Sequence, residues 1–163
     1  MAAAVNADDL LQRVHRLEAI EAVRATLSRY AATCDSLSAG EDLGDLFTED
    51  AVLSTVAVHE GRPAILDYYA GVFGSLSAAR HHIVNSAIEL EEPERARHRG
   101  YYLAILTRDG ESTAVFGDYD DVLVRGADGR WRFREKGNHG AGSLPLGVSQ
   151  PAAAASVTTD EAR

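Results

Sequence analysis

Lysine and cysteine are almost missing from this chain. Of 163 residues one is cysteine, Cys34, and of the 16 basic residues only Lys136 is lysine. A single cysteine excludes an internal disulfide and any cysteine-based zinc cluster. The shortage removes Schiff-base and thiol chemistry from almost every position, which leaves histidine, aspartate and tyrosine as the toolkit. Positive charge is short too: 25 acidic residues give a net charge of −9. Phosphate binding needs a cationic face, so nucleic acid is excluded as the main partner and an anionic membrane is disfavoured. No stretch approaches the roughly 18 apolar residues of a membrane span. No basic segment followed by an apolar run opens the chain, so no signal peptide is expected and a cytoplasmic location is.

What is present suits one folded domain. Forty-five per cent of the residues are hydrophobic, enough for a core, and the length leaves little room for a second one. Residues 1–7 are small and uncapped and read as a disordered N-terminus. Residues 143–163, with Pro145, Gly147, Pro151 and the run Ala152–Ala155, read as a disordered low-complexity tail. The domain is expected over residues 8–142.

Apolar residues recur every three or four positions from Leu10 through Leu17 and Val23 to Tyr30, one stripe of a single helix or of two joined near Leu17. Asn6 or Asp8 suits the cap. A short helix is expected over 41–47, a β-rich stretch over 51–58, and a helix opening at Gly61-Arg62-Pro63 and stopping near Gly74. Strands follow over 80–90, 97–107, 112–125 and 130–137. Asp109-Gly110 and Asp128-Gly129 separate the last three, a strong hairpin signal because both residue types tolerate positive φ. The alternation breaks near Gly117-Asp118, which predicts a bulge. In the last strand Trp131 and Phe133 alternate with Arg132, Arg134 and Lys136, which reads as one wet face. The pattern predicts an α+β fold: a cone-shaped barrel in which a curved, mostly antiparallel sheet wraps around N-terminal helices, with a ligand pocket inside.

Three positions carry chemistry. Asp35 lies where the helical stripe ends. Tyr30 is about 140° away on an ideal helix and converges with it only if the helix ends or bends between them. His81 and His82 open the first long strand, and only one of them can face inward; the alternation does not choose. A histidine held by a carboxylate is a workable base, and a tyrosine hydroxyl can donate to a developing oxyanion. The same residues also fit a helix cap, a core tyrosine and a surface histidine pair. His15, His59 and His98 lie among polar neighbours and read as surface. No metal site is expected, because His81 and His82 point to opposite faces and no second ligand pair has suitable spacing.

The runs Leu27–Asp35, Leu46–Val52, Gly61–Ile65 and Arg80–Asn85, closed by Asp128-Gly129-Arg130-Trp131-Arg132-Phe133, resemble in order and spacing the SnoaL-like branch of the nuclear-transport-factor-2-like superfamily over roughly residues 8–140. Within it the chain is similar to the lyases of the scytalone dehydratase and bile acid 7α-dehydratase type. The resemblance implies a cofactor-independent elimination on a small hydrophobic polyketide- or steroid-like carbonyl compound, in an internal pocket of a homodimer or homotrimer. Isomerase or cyclase chemistry, or a non-catalytic ligand-binding or oligomerisation module, are the alternatives. It assigns Asp35, His81 and Tyr30 as catalytic, and the family spacing to Asn85 selects His81 over His82. His82, Asn85, Tyr101, Phe116, Asp118 and His139 are the expected substrate-binding residues. One departure stands out: a second histidine that some of these lyases carry is absent from Phe116-Gly117-Asp118, and Asp118 or Asp120 stays a candidate base by analogy with steroid isomerases.

Overall fold

A computed structural model describes residues 6–148; residues 1–5 and 149–163 of the expected terminal segments lie outside the described residues. Helix α1 runs unbroken over Ala7–Asp35, with Asn6 as its cap accepting a hydrogen bond from the Asp8 N–H. The stripe is therefore one helix, but only its second half is core. Val23, Thr26, Leu27, Tyr30 and Cys34 are buried, whereas Leu10, Leu11, Val14 and Leu17 stay exposed.

A single turn, α2 (Glu41–Gly44), leads to β1 (Phe47–Ser54) and a short β2 (Val58–Glu60). Helix α3 (Arg62–Phe73) begins behind Gly61, whose φ of 82° only glycine adopts without strain, and carries Pro63 in its first turn. Four long strands follow: β3 (Ala78–Glu92), β4 (Arg95–Arg108), β5 (Glu111–Arg125) and β6 (Trp131–Val148). The sheet order is β2-β1-β6-β5-β4-β3. All neighbours are antiparallel except β1 and β6, which run parallel. The α+β cone is thus a six-stranded curved sheet that stays unclosed, with β2 and β3 as its edges.

The expected bulge is present as a register shift between Phe116 and Gly117. A Cβ on Gly117 would lie 2.1 Å from the His139 carbonyl oxygen and 2.9 Å from the Tyr102 ring, so the chain needs glycine there for close approach. Strand β6 departs from expectation in extending beyond residue 142. Ser143–Val148 pair with Val115–Glu111, and Pro145 sits opposite Thr113. Pro145 is tolerated because the pairing with β1 ends at Gly137, so this part of β6 is an edge and the missing N–H costs no ladder bond.

The inner face reads as rungs across β3, β4, β5 and β6. From the mouth inward these are His81, Ala104, Val115 and Ser143; then Ile83, Tyr102, Gly117 and Gly140; and, deeper, Ile88, His98, Asp121 and Lys136. Helix α1 and α3 cover this face with Leu27, Tyr30, Ile65 and Tyr69.

Candidate active site

Asp35 is the last residue of α1 and His81 the fourth of β3. The helix ends against the edge strand, and the Asp35 carboxylate takes two hydrogen bonds there. Its Oδ1 accepts the His81 main-chain N–H at 2.9 Å and lies 2.7 Å from His81 Nδ1. With Nδ1–H donating to the carboxylate, Nε2 keeps its lone pair for a substrate proton. Both side chains are partly open, 16% for His81 and 19% for Asp35. That combination of access and a fixed tautomer is what a general base needs.

His81 shares its rung with Val115, which lines a cavity of about 460 Å³ together with Tyr68, Tyr102, Asn138 and Ser143. A larger groove of about 980 Å³ lies between the first turns of α1 and the Leu90–Pro93 turn. Neither space is lined by Asp35 or His81 themselves; the walls of the groove carry Asp9, Arg13, Arg16, Glu18 and Glu91, whereas the smaller cavity adjoins the His81 rung through Val115.

Tyr30 does not converge with the dyad. Because α1 continues straight to Asp35, the Tyr30 side chain is 2% exposed and points into the core. Its hydroxyl lies 2.8 Å from that of Tyr69. Burial pushes both phenols well above their usual pKa, so they stay protonated. A hydroxyl pair shares one proton in its mutual bond and retains one O–H to give elsewhere. Burial likewise pushes the Cys34 thiol up to about 12, so it packs as a small apolar residue.

The expected binding residues fall mostly on the other side of the sheet. Strand alternation turns Tyr102, Ala104 and Val115 inward, so Tyr101, Phe116, Asp118 and His139 face outward and are exposed. His82 is exposed and hydrogen-bonds its Nδ1 to the Leu103 carbonyl. Asn85 occupies a register break of β3 with φ 51° and is exposed. Asp120 is clamped by the Arg97 guanidinium at 2.9 and 2.8 Å, and these bonds hold its carboxyl below the usual range. A carboxylate so held is a poor base.

The sequence reading missed a second polar group. His98, read as surface, is 0% exposed, and its Nδ1 lies 2.8 Å from Asp121 Oδ2. Lys136, read as part of a wet face, is 1% exposed and donates to Asp121 Oδ1 at 3.1 Å. Its ammonium also lies 3.3 Å from the centre of the Tyr119 ring, a cation–π contact. Desolvation pulls the Lys136 pKa down and Asp121 pushes back. The missed phase has a cause: a register shift between Val122 and Leu123 puts Glu135 opposite Val122 and Lys136 opposite Asp121, which flips the inward phase of β6. His98 had a usable signal, because Arg95, Arg97 and Arg99 take the outward phase and leave Ala96, His98 and Gly100 inward.

Among the described residues no helix is long and apolar enough to cross a membrane. No curated protein is similar enough in sequence to count as a relative. Several solved structures share the fold. A candidate scytalone dehydratase from Novosphingobium aromaticivorans superposes with a TM-score of 0.76 at 24% identity, over 84% of this chain and 93% of that one. A type 2 hexachlorocyclohexane dehydrochlorinase gives 0.76 at 19% identity, over 88% and 99%. The type 3 enzyme from Novosphingobium barchaimii gives 0.74 at 20% identity, over 85% and 99%. At these identities the likeness establishes the architecture. The model of the SnoaL-like domain matches residues 15–136, which spans α1 through the inward-turned Lys136, and the chain belongs to that SnoaL-like family.

Proposed function

We propose that the protein is a cofactor-independent acid–base lyase that eliminates water, or a comparable leaving group, from a small hydrophobic carbonyl compound of polyketide- or steroid-like character. The observation that carries this reading is the 2.7 Å contact between His81 Nδ1 and Asp35 Oδ1 at the mouth of the cone. His81 Nε2 takes the proton next to the carbonyl, and the C–H electrons form the new double bond. The C–O bond breaks, and the hydroxyl leaves as water with the proton that the His81 imidazolium gives back. Asp35 fixes the ring and balances the imidazolium. Tyr30, turned into the core with its hydroxyl on that of Tyr69, is left out of this step. The dehydratase and dehydrochlorinase names of the similar structures favour elimination over isomerisation.

The test is incubation with 3-hydroxytetralone, a β-hydroxy ketone that loses one water to become a naphthol. Loss of water by mass spectrometry, abolished by H81N and by D35N with the fold intact, is the expected result. A product of unchanged mass moves the protein to the isomerase or cyclase class, and full activity in both variants removes the dyad from the mechanism. The homodimer or homotrimer reading draws support from the outer sheet face, where Tyr101, Leu103, Phe116 and Leu144 are exposed; sedimentation equilibrium tests it.

A further inference from the structure

The space above Gly140 on β6 is open. Among the described residues, a Cβ built there meets a single atom within 4 Å, the Tyr102 hydroxyl oxygen at 3.7 Å. Gly117, opposite it on β5, is the reverse case: a Cβ there would lie 2.9 Å from both Cε1 and the hydroxyl oxygen of Tyr102. The Tyr102 ring therefore lies flat across β5, over Gly117, and its hydroxyl reaches β6. Stacking on Tyr119 at 4.7 Å holds the ring there, and the Lys136 ammonium 3.3 Å from the Tyr119 ring holds Tyr119.

Tyr102 and Gly140 both line the cavity of about 460 Å³, and its entrance lies at the surface. Val56 is exposed on one lip, and Gly140, Ala141 and Gly142 are exposed on the other. The pairing of β6 with β1 has ended by then, at Gly137, so no strand closes that side. A strand glycine lets a ligand approach the backbone closely. The ring of Tyr68, from α3, gives the cavity a second aromatic wall.

The chemistry of the lining selects what enters. The hydroxyls of Tyr30 and Tyr69 hold each other at 2.8 Å, whereas that of Tyr102 has no hydrogen-bond partner among the described residues. Burial raises its pKa, so it keeps its proton and has an O–H to donate. None of the lining residues is an acid, a base or a histidine. The charged group that acts on the Tyr102 hydroxyl is the Asp118 carboxylate. A carboxylate or phosphate would lose water there and find no counter-charge. An uncharged oxygen loses less, and one hydrogen bond offsets it.

We propose that the space above Gly140 binds a carbonyl or neutral hydroxyl oxygen of a flat ring compound, with the Tyr102 hydroxyl as donor. The proposal deepens the lyase reading and rests on it for the cone as a ligand chamber. Gly140 is on β6 and His81 on β3, three strands away, roughly 14 Å along the curved sheet. The oxygen held at Tyr102 is thus a second one, at the far end of the ligand from its reacting carbon. Tyr102 orients the ligand and takes no part in the proton transfer.

The experiment titrates the full chain with 1-tetralone and with tetralin, the same rings without the oxygen, by NMR. The expected result is about tenfold tighter binding of tetralone, the contribution of one hydrogen bond in a buried site. Y102F brings the ratio to about one and keeps the melting temperature, because the hydroxyl it removes has no partner in the free protein. G140V fills the space and abolishes binding of both compounds. 1-Naphthoate binds at least about tenfold more weakly than tetralone. H81N and D35N keep the full ratio whether or not they lose turnover, so this binding point and the acid–base reading fail separately. Equal binding of tetralone and tetralin, binding of neither, a ratio unchanged in Y102F, binding unchanged in G140V, naphthoate as tight as tetralone, or a ratio lost in H81N overturns the proposal.

Discussion

Among the described residues two histidine–aspartate pairs stand in this cone, and they have nearly the same local geometry. His81 Nδ1 lies 2.7 Å from Asp35, and His98 Nδ1 lies 2.8 Å from Asp121. Their surroundings differ. The first joins a helix end to an edge strand and keeps part of each side chain open. The second is wholly buried between two central strands and has Lys136 as a third member. The motif alone therefore decides little; access and the neighbouring charge decide whether a pair can take a proton from a ligand or only hold one in place.

The largest expected effect breaks the deep pair. D121A leaves the Lys136 ammonium buried without its counter-charge, and about 3–5 kcal/mol of stability should be lost, read from urea unfolding. D35A, at a site still reached by water, should cost under about 1 kcal/mol in the same assay. Equal losses would erase the distinction drawn between the two pairs. The reverse experiment follows activity: H81N should lower kcat/KM by about 10²–10⁴-fold with the unfolding curve almost unmoved. Between the two regions stands the tyrosine pair. Y69F strands the buried Tyr30 hydroxyl and should destabilise by about 1–3 kcal/mol.

The smallest effect concerns acid. Asp120 and Asp128 are held below the ordinary carboxylate range by hydrogen bonds from Arg97 and Arg132 respectively. Their folded pKa values lie below the unfolded ones. The unfolded chain thus takes up protons first, and the stability they contribute falls as pH drops below about 4. Urea midpoints measured between about pH 5 and 3 should decline, and D128N should flatten the slope. A steep decline unchanged in D128N would place the acid sensitivity in other carboxylates.

The framework was legible in the sequence wherever a local signal set it. Gly61-Arg62-Pro63 marked the start of α3, the two Asp-Gly pairs marked the hairpins of β4 to β6, and Gly117 marked a bulge. Asp35 and His81 were legible as a pair only through the family resemblance, since strand alternation alone left His81 and His82 equivalent. What escaped was phase. Tyr101 and Phe116 are aromatic and looked like lining, but the ladder turns Tyr102 and Val115 inward instead. Lys136 looked solvated until the register shift at Val122 turned it in. The end of β6 escaped because Pro145 and Gly147 resemble a tail, while the free edge beyond Gly137 lets a strand carry them. Such offsets are properties of pairing between strands, and no single segment records them.

The connections that complete the cone also set an order for its making. The deep pair spans 23 residues, from His98 to Asp121, and Lys136 follows 15 residues later. The rim pair spans 46. The Thr26 hydroxyl that donates to the Trp131 carbonyl spans 105, and Arg134 reaches back 84 residues to Asp50 on β1. Short loops close before long ones. During synthesis the β4–β5 hairpin can gather His98 and Asp121 while β6 is still emerging. Helix α1 finds its first partner when β3 emerges, whereas β1, already paired with β2, gains its other neighbour only when β6 arrives. The inner edge of β1 is therefore the last part of the first third to be closed, and until then it is the surface on which chaperones or misassembly would act.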